Sequence, residues 1–425
     1  MAATAAQAPP ILHLSSVIGS PLRDSDGERL GKVEDLIVRL GGVGYPPIMG
    51  VLVNVTGRTS FLGIDRVSDI GPDGVVLRKA KLDLRRFERR PEEVLLKRDL
   101  LDRQLINVEG ARLVRANEIE LALVAGAWRV AGVDTGPRGG LRRLLPKRLG
   151  AHIATGEFLD WACVEPFVGH VPTLRLRVPH PKLAKLHPAQ IADLVEAASR
   201  REGEEIIQAV GDDDRELEAD VFEELDDQHQ REFLAERPDE QIAEILSRMA
   251  PDDAADVVGE LDEERREPVL AALPVSHRVK VRALLGYDPA EAGGLMSPDF
   301  LLLRGSSSAG DALEAVRASR IEPELLTTVF VGPPQGAPEG CVAVAALVRA
   351  DRGQRLDTLV RHEIPSLSPD TSFEEVARQM ADYNLTAIPV VDENERMIGV
   401  VTVDDVLEAM LPRGWRRRFG LLGED

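Results

Sequence analysis

The chain has 425 residues, enough at roughly 150 per domain for about three domains with cores of their own. Hydrophobic residues make up 44% and charged residues 29%, too apolar a mixture for a disordered chain. No stretch approaches the roughly 20 uncharged apolar residues of a membrane span, and the start lacks the basic and apolar pattern of a signal peptide, so neither a channel, a pump nor a secreted protein is expected.

The 72 acidic and 52 basic residues leave a net charge of −20. Between Pro188 and Glu267 there are 28 acidic and 8 basic residues, so this one block carries the whole imbalance. Nucleic-acid phosphates are met by Lys and Arg, and no nucleic-acid partner is expected of such a block. It could instead attract cations, although for most of its carboxylates a solvated helix surface is the plainer reading. Cys163 and Cys341 form no CxxC pair, and the histidines form no HExxH. No Walker A loop and no GxSxG is present. These patterns predict reduced thiols in a cytoplasmic protein, no zinc, and no enzyme.

From residue 11 to about 170, short apolar stretches such as Ile48–Val55, Gly74–Leu77 and Leu121–Val130 are punctuated by Gly, Pro and Asp. That spacing predicts short strands closing into small β-barrels. The pattern repeats: Leu22-Arg-Asp24-Ser-Asp26-Gly27-Glu-Arg29-Leu30 aligns with Leu105-Ile-Asn107-Val-Glu109-Gly110-Ala-Arg112-Leu113, 83 residues on. Glu34-Asp35-Leu36 and Asn117-Glu118-Ile119 follow. Asp-Gly and Glu-Gly supply hairpin turns. With Ser15-Ser16-Val17-Ile18-Gly19 before it and Gly31-Lys32-Val33 after it, the first copy resembles the PRC-barrel of reaction-centre and ribosome-maturation proteins. The second copy carries Val114 where that pattern has Gly. The resemblance implies duplicated docking modules at 11–90 and 94–178. Arg138, Arg142, Arg143, Lys147 and Arg148 then form a basic segment, 138–148, that suits an anionic membrane surface or partner; a solvated loop is the competing reading.

Residues 180–286 change period. The tetrad Ala, acid, apolar, apolar starts at Ala192, Ala219, Ala243 and Ala255, close to multiples of about 12 residues. A unit of that length is a helix of two to three turns plus a tight turn, so the block predicts an all-α superhelix of short helices. Pro238-Asp239-Glu240 and Pro251-Asp252-Asp253 read as helix starts, with carboxylates at the positive end of the dipole.

Residues 287–412 read as α/β. Leu385–Asp392 and Met397–Thr402 predict two buried strands, flanked by helices Ser372–Tyr383 and Val403–Met410. A Ser372-Phe-Glu-Glu375 capping box would open the first helix. Thr386-Ala-Ile388-Pro389-Val-Val-Asp392 with Gly399-Val-Val-Thr402-Val-Asp404-Asp405 resembles a CBS domain, the cystathionine β-synthase type. With the acidic helices, and with Tyr287-Asp-Pro-Ala-Glu-Ala292-Gly293-Gly294-Leu295-Met296 between, the stretch from about 185 to 412 is similar to the cytosolic part of MgtE-type magnesium channels. The CBS pair would divide at about 296–360 and 361–412.

That resemblance implies Mg²⁺ bridging carboxylates of the helical domain and the CBS pair, turning repulsion between acidic surfaces into attraction. By position the candidates are Asp220, Asp252, Asp253 and Asp256 on the helical side and Glu374, Asp404, Asp405 and Glu408 on the CBS side. Asp252 and Asp256, like Asp404 and Glu408, are four apart on a helix. A helix cap or solvated carboxylate is the bland alternative for each. The resemblance also implies an adenine nucleotide such as ATP, with Thr402 and Asp405 as a ribose-binding pair. It implies a homodimer through the CBS pair. The basic tail 413–425, with Arg and Trp mixed over 413–419, stands where such a channel leads to its membrane, so a membrane transporter or the inner membrane face is one expected neighbour, and a disordered tail is the competing reading. Three readings follow: a Mg²⁺-responsive regulator acting on a separate partner in magnesium homeostasis, an adenine-nucleotide sensor, and a PRC-barrel docking scaffold.

Overall fold

The computed structural model describes residues 11–410 apart from 41–43, 80–84, 87, 91–92, 145–155, 168–181, 322, 324 and 363. The chain divides into two compact units, Met1–Val221 and Phe222–Asp425.

The first unit contains the two hairpins that the repeat demands. Pro21–Arg23 pairs antiparallel with Arg29–Arg39, and Gln104–Asn107 with Arg112–Arg115. In the first turn Gly27 takes a positive φ while the Asp24 carboxylate accepts from the amides of Asp26 and Glu28. In the second it is Ala111, one residue past Gly110, that takes the positive φ.

The expected closed PRC-type barrels do not form: the strands lie in open sheets. The largest runs in the order Val67–Gly71, Gly74–Leu77, Pro21–Arg23, Arg29–Arg39, Ile48–Val55, Arg58–Gly63 and Arg85–Arg86. Closure requires the two outer strands to pair. Among the described residues Val67–Gly71 and Arg85–Arg86 do not, the latter being only two residues long. The docking-scaffold reading loses its premise with the barrel.

The two copies instead exchange strands. Glu93–Leu95, which leads into the second copy, pairs with Arg29–Arg39 of the first. Ile11–His13, which leads into the first, pairs with Glu118–Val124 of the second. Irregular register at Val33/Asp35 and Ile37/Val38 bends the long Arg29–Arg39 strand. Its two ends thereby serve different neighbours on the same edge. After each exchanged strand comes a short helical turn, Leu14–Val17 or Leu96–Leu100. Asp35 accepts from the amides of Lys97 and Arg98, and Glu118, 83 residues on, accepts from that of Ser15. One apolar core, including Leu14, Leu36, Val51, Val94, Leu105 and Ile119, spans both copies. The repeats therefore fold as one body rather than as two barrels.

Short helices follow as the 12-residue period requires. Pro188–Ala197 and Arg200–Asp213 lie in the first unit, and Arg215–Glu223 runs through its end at Val221. In the second, Asp227–Leu234, Asp239–Leu246, Pro251–Glu260, Glu263–Ala272 and Val275–Leu284 continue the series. In the second unit apolar stripes meet across one intervening helix: Asp239–Leu246 packs on Glu263–Ala272, and Pro251–Glu260 on Val275–Leu284. Pro251 stands at the first helical position, where its missing N–H costs nothing, whereas Pro238 caps its helix from outside.

The α/β part has two small sheets. Leu302–Leu303, Thr328–Val331 and Gly340–Ala343 form one, Ala387–Val391 and Met397–Thr402 the other. Here too the halves are cross-stitched. Ser297 of the first half and Val400 of the second exchange two amide hydrogen bonds of 2.9 Å, and Cys341 pairs with Arg361. Gly399 is required at that crossing, because a Cβ would stand 2.6 Å from the Met296 sulfur. The capping box expected at Ser372 is not made. Glu375 turns outward to Arg378 and Gln379.

Candidate functional site

The acidic helices present their carboxylates by simple periodicity. In Pro251–Glu260 the apolar face, including Ala254, Ala255, Val257 and Val258, is buried. Asp252, Asp256 and Glu260 fall four apart along one remaining face. Asp252 is half-buried and Asp253 exposed, both in the first turn. Asp256 keeps solvent access, yet the surrounding protein desolvates its carboxyl and pushes the pKa up to about 6, with Asp227 and Glu260 adding like-charge repulsion. Asp227 comes from the first turn of the neighbouring helix, Asp227–Leu234. Neither Asp227 nor Glu260 is among the residues expected from the sequence. Glu260 was within reach of the same i, i+4 rule extended by one turn, whereas Asp227 is brought in only by packing. Asp220 lies exposed on the Arg215–Glu223 helix of the first unit.

On the CBS side, Glu374 is exposed in the first turn of the Phe373–Tyr383 helix. That helix packs on Val403–Met410, whose first turn carries Asp404, exposed, and Asp405. Glu408 lies on the same helix, with its side chain outside the described residues.

Thr402 and Asp405 have a local role. The Thr402 amide donates to Asp405 Oδ2 at 3.0 Å and the Thr402 hydroxyl to the same oxygen at 2.6 Å. This is the back-bonding half of a capping box, securing the entry to the Val403–Met410 helix. Burial pushes the Asp405 carboxyl above its usual range; the Thr402 bonds oppose that shift and Asp404 adds to it. Of the two Asp405 oxygens, Oδ2 is thus already committed.

Basic groups are also accounted for in part. Arg143 forms a two-pronged pair with Asp102, so it is not a free cation for a lipid surface. Arg138 is exposed. The Arg142 side chain, Lys147, Arg148 and segment 413–419 lie outside the described residues.

Comparison with known proteins bears on this geometry. The family model of the MgtE intracellular N domain matches residues 186–290, and that of the CBS domain matches 356–412. A solved cytosolic domain of the Mg²⁺ channel MgtE, in complex with ATP, is 30% identical, has a TM-score of 0.50, and is covered over 92% of its length by 54% of this chain. Over residues 186–412 the chain belongs to the MgtE cytosolic-domain family. The magnesium transporter MgtE of Thermus thermophilus is 37% identical over 133 residues, 31% of this chain and 30% of that one. That of Enterococcus faecalis is 25% identical over 146 residues, 34% and 32% of the two chains. The chain spans about a third of the length of the curated relatives it matches. Among the described residues no helix is long and apolar enough to cross a membrane. The MgtE-type N domain and the CBS pair are regulatory rather than catalytic modules, in keeping with the expectation of no enzyme.

Proposed function

We propose that this protein is a Mg²⁺-responsive regulator whose MgtE-type helices and CBS pair sense the ion and act on a separate partner in magnesium homeostasis, at the cytoplasmic side of a membrane. The crowding of Asp227, Asp256 and Glu260 carries this reading. Burial and the nearby charges of Asp227 and Glu260 raise the cost of charging Asp256, and a divalent cation relieves it. The donor set suits Mg²⁺, a hard ion that keeps most of its water and needs only one or two carboxylates. Asp252, Asp253 and Asp256 would hold the ion on the helical side, with Asp227 and Glu260 contributing field. Glu374, Asp404, Asp405 and Glu408 on the CBS side are the further acids proposed to meet it, and Asp220 is proposed as a separate carboxylate for the ion on its own helix. The ion supplies positive charge between acidic surfaces. The residues supply a compact state that repels itself when the ion is absent, and binding shifts the population only through differential affinity for the two states.

A homodimer through the CBS pair is part of the proposal. Its helices leave Leu407, Met410 and Tyr383 exposed, and sedimentation of the chain as a monomer would count against it. Segments 138–148 and 413–419 are proposed to face the transporter or membrane surface. A nucleotide reading is favoured by one observation, the ATP held by the related cytosolic domain. Here Thr402 and Asp405 would hold the ribose, in exchange for part of the cap they make.

The test is small-angle scattering with melting temperature over 0–20 mM MgCl₂, a range of the order of the weak affinities that such carboxylate sites give, against NaCl of equal ionic strength. Compaction and a rise in Tm specific to Mg²⁺, lost in Asp252→Ala/Asp256→Ala, are expected. A response no larger than the NaCl control overturns the reading, and ATP titration then tests the nucleotide alternative.

A further inference from the structure

The first unit holds an open cleft of about 700 Å³ that the Mg²⁺ reading does not use. Its lining includes Gly19, Arg29, Lys32, Glu34, Asn54 and Lys97. Arg29 and Lys32 stand on the Arg29–Arg39 strand and Lys97 on the Leu96–Leu100 turn, and all three are exposed. Among the described residues no carboxylate is paired with any of them. Glu34, the carboxylate in the lining, is engaged by Asn54 Nδ2 and Thr59 Oγ1, each at 2.8 Å. In a chain of net charge −20, three cations left facing one cleft stand out against the whole.

The second copy of the repeat shows what such a position accommodates. Gly19 corresponds to Asp102, Arg29 to Arg112 and Lys32 to Arg115, each 83 residues on. The backbones match: φ is 74° at Gly19 and 64° at Asp102. Their amides donate to the equivalent carbonyls of Val33 and Ala116, at 2.8 and 2.9 Å. At Asp102, however, a carboxylate grows from that backbone. It accepts from Arg143, with Nη1 to Oδ2 at 2.8 Å, and lies in the field of Arg115. The second copy supplies its own anion, while the first has only the hydrogen of Gly19 there.

We propose that the cleft of the first copy binds the oxyanion group of a small molecule, a phosphate or a carboxylate, between Arg29, Lys32 and Lys97, in the role that the Asp102 carboxylate plays in the second. Arg29 offers a planar fork of donors and the lysines offer movable point charges, a combination suited to oxygen anions. Because the cleft is open, binding is sensitive to salt.

The test titrates the full chain, in Mg²⁺-free buffer, with sodium phosphate and separately with sodium citrate. Calorimetry and melting are read against NaCl of equal ionic strength. Phosphate replaces nucleotide as the probe so that the CBS pair is not titrated with it. Saturable binding of phosphate alone supports the proposal with a phosphate-bearing ligand; of citrate alone, with a carboxylate. Gly19→Asp is the informative variant. A Cβ there meets nothing within 4 Å, and Asp102 shows that Asp tolerates this backbone. It is expected to weaken binding about tenfold or more and to raise Tm in oxyanion-free buffer, whereas Gly19→Asn, also at ease with positive φ, stays within about threefold of the parent. Lys32→Gln/Lys97→Gln is expected to weaken binding without raising Tm. Saturation by neither anion, or equal binding by Gly19→Asp and Gly19→Asn, overturns the proposal.

Discussion

Strand Ile11–His13 finds its partner at Glu118–Val124, whereas helix Asp239–Leu246 finds its partner at Glu263–Ala272, two helices further on. The first pairing spans about 110 residues and the second about 25. In the sheets a strand's neighbour is set by an exchange between two copies of a repeat. In the short-helix series it is set by the period of the sequence itself, so stability there is close to a sum over neighbours. The same chain thus holds one region in which local damage should spread and one in which it should stay local.

Three experiments can break or sharpen that contrast. The largest effect is expected from Val94→Asp, which places a charge in a fully buried position on an exchanged strand. A loss of more than about 4 kcal/mol is expected, with hydrogen-exchange protection falling in both hairpins together. Protection kept in the Gln104–Asn107 hairpin while the Pro21–Arg23 hairpin loses it would show that the exchange does not couple them. Leu246→Ala, also at a fully buried position, should cost about 3 kcal/mol, with protection lost chiefly in its own helix and in Glu263–Ala272. Loss spread evenly through the second unit would count against the additive picture.

The smallest expected effect is on pH dependence. Burial raises the Asp35 carboxyl to about 6, opposed by the amide bonds of Lys97, Leu36 and Arg98, and Asp256 also stands at about 6. Both folded values lie above the unfolded 3.8, so the folded state holds these protons more tightly. The stability they contribute is complete below pH about 3.8 and is lost as pH rises through about 6. For Asp256, which retains solvent access, screening limits the effect to the order of 1 kcal/mol. Asp256→Asn should therefore flatten the pH profile of Mg²⁺-free stability between pH 4 and 7, with Asp35→Asn flattening the remainder. An unchanged slope in Asp256→Asn would show that neither burial nor its neighbours oppose its charge.

Legibility followed the same divide. The Ala-acid tetrad and the paired strands around Pro389 and Gly399 are local patterns, and the helices and the Ala387–Thr402 hairpin stand where those patterns put them. In the sheet region the two hairpins were legible from Asp24–Gly27 and Asn107–Gly110, but barrel closure was not. Nothing in Val67–Gly71 or Arg85–Arg86 states which edge each will meet, and the short turns at Leu14–Val17 and Leu96–Leu100 redirect strands across the repeat. Among the acids, Asp252 and Asp256 were candidates through the family resemblance, with their i, i+4 spacing placing them on one face, while Asp227 required knowing which helix lies alongside. Ser372 and Glu375 have the letters of a capping box, yet Arg378 and Gln379 win the carboxylate by standing one turn away.

The strand exchange also sets a timetable for synthesis. Ile11–His13 leaves the ribosome long before Glu118–Val124 exists, and about 110 residues made at about 5–20 per second mean a wait of roughly 5 to 20 seconds. Through that interval the apolar Ile11 and Leu12 have no sheet to join. Slow translation between the two copies would lengthen the exposure, and a nascent-chain binder acting on the first fifteen residues would shorten its consequences. The yield of soluble protein should then depend on codon choice across the first repeat more than across the helices, whose partners arrive within a few seconds.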